Sequence, residues 1–377
     1  MLMHKEIFIY IHLMCVYFFM RITRDYFVLD YKSPDYNSIM KLFSIIGSIC
    51  FSIIPYIIHK FIKPKTYKSF FIIIINLFLS LCILSILLLT YKITRQYGVI
   101  IYYSLCDIFV SFILSNFWKL FNSCNFPKDR YNLIFRMAQF GVAFGAIMAL
   151  CIIYLKLNPI FFLLPVIFFI SFLSNKLQSH KIENIENNIQ VSHKYNFTLF
   201  IVVMCTVLTG ILGGVINAFC KSIVFVYLNK DKWKFILYLI LLWIVQSIIT
   251  NIIMYFYNKI YKIWYGPLIL LIYSILLFFF WGPILMSTLV IIFKIIKSVI
   301  MGPYKEHFIS QQINSHTILN FEGIFSRVGK FLSASILSYF VIFYGNVNAS
   351  PIPIICISIL LFIITLILHK INVKNHI

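Results

Sequence analysis

Apolar runs of roughly twenty residues recur along this whole chain, and that is the length a helix needs to cross a bilayer core of about 30 Å. A backbone amide left unpaired in lipid costs so much free energy that each run must close its hydrogen bonds internally. The strict alternation of a lipid-facing β-barrel strand is absent, so the runs read as helices. Composition agrees: 62% of the 377 residues are hydrophobic and 11% are charged, whereas a soluble domain carries about 25% charged residues. The expected fold class is an all-α integral membrane protein of about twelve transmembrane helices in two six-helix halves.

The predicted helices are 6–30, 39–60, 69–91, 98–122, 131–154 and 159–175, then 196–228, 234–257, 264–281, 283–301, 322–345 and 350–369. This divides the chain into an N-terminal half at 1–174, a polar cytoplasmic linker at 175–195 and a C-terminal half at 196–377. The linker carries Lys176, Lys181, Glu183, Glu186 and Lys194. Ile134-Phe135-Arg136, followed by Phe140 and Ala143, is echoed by Ile324-Phe325-Ser326-Arg327, followed by Phe331 and Ala334. Both stretches are expected to open the fifth helix of their half. Parallel duplication of six helices is the major facilitator plan, with a substrate site near mid-membrane.

With the N-terminus inside, the inner loops hold Lys60, Lys63, Lys65, Lys68, Lys128, Arg130, Lys259, Lys262 and Lys305 besides the linker lysines. That bias places both termini in the cytoplasm. The first apolar stretch lacks a small-residue cleavage site and runs directly into charges, so it reads as a retained helix. Nine cysteines include eight inside apolar runs, with no CxxC and no Cys/His cluster. They behave as small buried hydrophobes, and neither a metal nor a cofactor is expected. The formal charge of +21 is explained mostly by topology signals. The abundance of Ile, Phe, Tyr, Asn and Lys fits an AT-rich genome.

Charges lodged inside the runs carry more information. A charge at the bilayer centre costs about 2.5–3.5 kcal/mol by insertion scales, so it normally faces a partner or a watery cavity. Arg21 with Arg24, Lys294 with Lys297, and Arg327 with Lys330 are each three residues apart, which puts two cations on one helix face. Lys221 lies deep within an apolar run. Two cations on one face repel when nothing neutralises them; a phosphate-bearing cargo supplies the missing negative charge, and arginine forks and lysine ammoniums both suit phosphate oxygens. The plainer reading is that Lys294 and Lys297 snorkel to the cytoplasmic face, that Arg327 and Lys330 begin their helix at the interface, and that Arg21, Arg24 and Asp25 form a local ion pair.

Several of these positions resemble the nucleotide transporter family of obligate intracellular bacteria and plastids, the ATP/ADP antiporters. The stretch Arg21-Ile22-Thr23-Arg24-Asp25 is similar to the family's first helix, Lys41-Leu42 to the opening of its second, and Asp107 with Phe117-Trp118…Asn122 to its fourth. Pro303-Tyr304-Lys305-Glu306, a polar loop and Arg327-Val328-Gly329-Lys330 resemble the segment joining its tenth and eleventh helices. The chain departs from the family where Asn217 stands four residues before Lys221, in place of a glutamate, and where Ser123 replaces an acid.

The resemblance implies a carrier exchanging nucleotides by alternating access through a cationic cavity. Arg21, Arg24, Lys41, Lys221, Arg327 and Lys330 would attract phosphate oxygens. Asp25, Asp107 and Glu306 would pair with these cations in the empty site or act as gates, and Trp118 could stack on the base. Exchange follows physically, because an empty cationic cavity is costly to reorient and a loaded one is nearly neutral. The expected partners are a nucleotide such as ATP or ADP and the lipid bilayer, without nucleic acid, for a monomer in the inner membrane of an intracellular bacterium. The competing expectation is a major facilitator-type proton-coupled transporter of a drug, sugar, peptide or other organic anion, with Asp25 or Asp107 as the titrating carboxylate. Against it, the second-to-third loop lacks the Gly-x-x-x-Asp-Arg/Lys pattern usual in such carriers. An enzyme is not expected: no HExxH, P-loop, GxSxG or Asp-x-Asp motif occurs.

Overall fold

The computed structural model describes residues 2–31, 36, 39–47, 61, 67–91, 93–109, 129–155, 196–256, 264–297, 315–344 and 350–375. Among these, the long helices are α1 (Leu2–Tyr31), α2 (Tyr67–Thr90), α3 (Arg95–Ile108), α4 (Asp129–Tyr154), α5 (Asn196–Tyr227), α6 (Lys232–Phe256), α7 (Tyr265–Phe279), α8 (Pro283–Ile295), α9 (Ser315–Tyr344) and α10 (Pro351–Asn375). Residues 39–47 are helical as well, and no strand occurs among the described residues. The predicted helix 159–175, residues 48–60 and 110–122 of two others, and the linker lie outside them.

Among the described residues, four segments are long and apolar enough to span a bilayer: Arg136–Tyr154, Val203–Tyr227, Lys232–Ile253 and Pro351–Lys370. Their exposed faces fit lipid. On α6, Leu241, Val245, Ile248 and Ile252 are exposed, and their spacing makes one continuous stripe. In water such a surface would aggregate; in hydrocarbon it is the ordinary exterior.

One compact unit comprises Met1–Ser33 with Phe43–Val191, and a second comprises Pro34–Leu42 with Ser192–Ile377. In the first, α1 packs against α4 through glycine: a Cβ at Gly145 would run into the Cys15 carbonyl. In the second, α5 packs against α9, and a Cβ at Gly329 would run into the Val207 carbonyl. The helix carrying Arg136 thus docks on the first helix of its unit, and the helix carrying Arg327 docks on α5. Close backbone approach of this kind is how membrane helices gain packing where lipid supplies no hydrophobic drive.

The turn joining α5 to α6 explains how those two helices hold register. Asn229 and Lys230 adopt positive φ, 55° and 60°. The Lys230 amide donates to the Phe225 carbonyl and the Asn229 amide to the Val226 carbonyl, the Schellman closure of a helix C-terminus. Asp231 then caps α6, its Oδ1 accepting from the amides of Trp233 and Lys234 at 2.9 and 3.1 Å.

One expectation about helix ends needs correcting. The stretch holding Arg327 does not open its helix, because α9 begins at Ser315, about three turns earlier. Hydropathy marks the lipid-buried part of a helix, whereas backbone hydrogen bonding continues into the polar residues Ser315, His316, Thr317 and Asn320. Arg327 and Lys330 therefore sit well inside α9, not at its start.

Candidate functional site

In the first unit the charges expected from α1 are drawn together with α3. Arg24 is 4% exposed and Asp25 1% exposed. Arg24 Nη2 lies 3.3 Å from Asp25 Oδ1, and Arg24 Nη1 lies 3.8 Å from Asp107 Oδ1 on α3. The guanidinium stacks over the Tyr103 ring, its Cζ 4.2 Å from the centroid, a favourable placement of a cation over an aromatic face. Ser44, in the 39–47 helix, donates to Asp107 Oδ2 at 2.5 Å. Below the charges, the Thr23 and Tyr102 hydroxyls are 2.7 Å apart, and Cys106 Sγ donates to the Met20 carbonyl at 3.3 Å. These contacts lock the α1–α3 interface that holds Arg24 and Asp107 in place. Arg21, one turn before Arg24, stands 5.8 Å from the Phe18 ring and is partly exposed.

The second unit is charged differently. From Ser192 to Ile377 there are fourteen lysines and arginines and three acids, Asp231, Glu306 and Glu322. Helices α5, α6, α7, α8 and α10 contain no acid at all. Lys221 of α5 is buried, at 8% exposure. Beside it, Cys220 Sγ lies 3.5 Å from the Tyr238 hydroxyl of α6, and that hydroxyl is 2.5 Å from Ser287 Oγ of α8. Asn217, standing where the family has a glutamate, donates back to the Gly213 carbonyl of its own helix. Lys294 of α8 holds its Nζ 5.0 Å from the centroid of Trp243.

Not every expected binding residue is brought to one place. Gly329, next to Lys330, abuts Val207 and Gly210. Lys221 stands about 11 residues farther along α5, or about 16 Å at 1.5 Å per residue. Lys330 is partly buried, Lys41 is half-buried in the 39–47 helix, and Arg327 lies in α9. Glu306 and Trp118 fall outside the described residues. Among the described residues, no group of His, Cys, Asp and Glu is arranged to hold a metal.

Sequence reasoning missed Tyr103 and Ser44, whose roles arise only when helices meet. It also missed a run of buried polar residues on α6, namely Gln246, Ser247 and Thr250 at 6%, 2% and 1% exposure. Their spacing of one, three and four residues inside an apolar run was the available signal.

No protein-family model matches this chain, and no curated protein matches it in sequence. Solved structures do match. The human organic anion transporter MFSD10 (TETRAN) aligns with a TM-score of 0.66 at 10% identity, covering 96% of this chain and 99% of that one. The nucleoside transporter NupG aligns at 0.60 and 12% identity, covering 99% of both chains. The E. coli fucose:proton symporter FucP aligns at 0.56 and 13% identity, covering 97% of this chain and 98% of that one. Likeness at so low an identity speaks to architecture, and the architecture is that of the major facilitator membrane transporters: an all-helical integral membrane protein.

Proposed function

We propose that this chain is an alternating-access carrier that exchanges nucleotides of the ATP/ADP type across a membrane. The observation carrying this reading is the charge imbalance of the second unit, where fourteen lysines and arginines stand against three acids between Ser192 and Ile377 and Lys221 is buried. Whatever polar atoms surround Lys221, the unit as a whole lacks the carboxylates to neutralise its cations. An incoming polyanion supplies that charge, and reorientation is then easier loaded than empty. In the first unit Asp25 and Asp107 already occupy Arg24, so a phosphate must compete with them there. That competition is what a gate does: substrate releases the carboxylates and changes the packing of α1 on α3. Lys221 and Lys330, about 16 Å apart along the helix axis, address different parts of one extended anion. Arg21, Lys41 and Arg327 complete the set of cations, with Glu306 as a further pairing acid. The fold supports the reading, and solved structures sharing it are described as carrying organic anions and nucleosides.

A second reading is proton-coupled transport of another small solute. It is favoured by the cluster itself, where one arginine faces two carboxylates and Asp107 is 18% exposed. One structure of the same fold is described as a fucose:proton symporter.

Purified protein in liposomes preloaded with ADP decides between the two. Nucleotide exchange predicts uptake of labelled ATP that requires internal nucleotide, returns the cargo chemically unchanged, and is lost in Lys221→Gln and in Lys330→Gln with membrane insertion intact. Undiminished uptake in both variants sinks the cationic-cavity reading. Solute uptake driven by an imposed pH gradient and abolished by Asp107→Asn, without nucleotide exchange, establishes the second.

A further inference from the structure

Helix α6 changes character along its buried face. Its first turns bury Phe235, Ile236, Leu239 and Ile240, while the following turns bury Trp243, Gln246, Ser247 and Thr250. The exposed stripe through Leu241, Val245, Ile248 and Ile252 stays apolar throughout, so the polar residues are confined to the protein side. Among the described residues, Gln246 Oε1 and Thr250 Oγ1 are fully enclosed yet make no hydrogen bond. A threonine in a membrane helix ordinarily bonds back to its own carbonyls, as Thr209 and Thr365 do here. Buried polar atoms left without partners are destabilising, and native proteins keep few of them. Two such atoms four residues apart on one face, Gln246 Oε1 and Thr250 Oγ1, mark a surface waiting for a polar ligand.

The surroundings indicate which part of a ligand. Lys294 lies over Trp243 at the start of the strip. Farther back along α6, Tyr238 meets Cys220 beside the buried Lys221, and Tyr238 stands about 12 Å before Gln246 along the axis. Lysines thus flank the neutral hydrogen-bonding groups, Lys294 at the strip itself and Lys221 about 12 Å back along the axis, a span comparable to an extended nucleotide. A carboxamide presents donor and acceptor side by side, which matches the edge of a nucleobase. Resting on the nucleotide reading above, we propose that the Gln246–Ser247–Thr250 strip of α6 is the subsite that receives the base of the cargo and sets base preference.

The test uses the full-length carrier in liposomes, with ATP, GTP, CTP and UTP as labelled cargo, pyrophosphate as a base-free competitor, and adenosine and uridine as phosphate-free probes of thermal stabilisation. Gln246→Leu is expected to raise KM for the preferred nucleotide about tenfold, the worth of one good hydrogen bond. It should also flatten the preference among bases and leave pyrophosphate competition unchanged. Its melting temperature in detergent should hold or rise, since an enclosed unpaired carbonyl oxygen is removed. Thr250→Val is the second variant, read by the same criteria, and carries the test if the leucine variant fails to fold. If wild-type protein exchanges nucleotide while both folded variants keep its KM and base preference, the subsite assignment is overturned and the carrier reading stands. If wild-type protein exchanges no nucleotide but is stabilised by adenosine or uridine, and the variants lose that response, the subsite stands and nucleotide exchange falls. If it responds to neither nucleotides nor nucleosides, both fall.

Discussion

Arg24 and Asp107 come from different helices and meet inside the first unit, Arg24 Nη1 standing 3.8 Å from Asp107 Oδ1. Asp25 shares the same guanidinium at 3.3 Å. Replacing Arg24 with glutamine takes the guanidinium away from two carboxylates, of which Asp25 is 1% and Asp107 18% exposed, a loss on the order of 3–5 kcal/mol for a broken buried pair. The expected outcome is a large fall in melting temperature in detergent, with part of it recovered in the double variant Arg24→Gln/Asp107→Asn. A single variant that melts like the parent would show that Arg24 does not hold these acids.

The legibility of this molecule in its sequence divides along physical lines. Segment length and apolarity identify α6 almost to the residue, 234–257 expected against Lys232–Phe256 observed, because lipid burial and helix coincide there. They misplace the start of α9, where the helix runs on through polar residues outside the apolar run. Within the candidate site, Arg24, Asp25 and Asp107 stand out because a charge in an apolar run is conspicuous by itself. Tyr103 and Ser44 do not, since nothing local distinguishes a tyrosine that will stack under a guanidinium from one that fills space. The α6 strip lies between these cases. Its spacing is visible, but a reading keyed to charge passes over uncharged amides and hydroxyls.

The α5–α6 turn makes a sharper energetic test. Asp231 Oδ1 accepts the Trp233 and Lys234 amides, so Asp231→Ala removes a helix cap worth about 1 kcal/mol. Asn229, at φ 55°, tolerates glycine but not a β-branched residue. Asn229→Gly should therefore melt at or above the parent temperature and Asn229→Val below it, as followed by circular dichroism in detergent.

Glycines at the helix crossings predict steric failures at specific positions. A Cβ at Gly145 meets the Cys15 carbonyl and one at Gly329 meets the Val207 carbonyl, and backbone cannot yield as a flexible side chain can. Gly145→Val and Gly329→Val should each force a helix pair apart, costing about 1–3 kcal/mol or more and lowering the yield of monodisperse protein. Gly282 has nothing within 4 Å of a built Cβ and an extended backbone at φ −172°. Gly282→Ala should stay within about 0.5 kcal/mol of the parent, and equal losses at all three positions would contradict the packing described here.

Asp30 and Arg95 also form an ion pair, joining the end of α1 to the start of α3, but with side chains 34% and 40% exposed. Water and salt screen such a pair, so its net worth is about 0–1 kcal/mol. It links the same two helices as Arg24 and Asp107, which makes it the natural control for burial. Asp30→Asn should shift the melting temperature little, and raising salt should erase the shift. The loss from Arg24→Gln should largely persist at high salt, because Arg24 and Asp25 are 5% and 1% exposed and screening by ions weakens with burial. If the two variants respond alike to salt, the Arg24 cluster is open to solvent, and its competition with an incoming anion would be a surface effect that gates nothing.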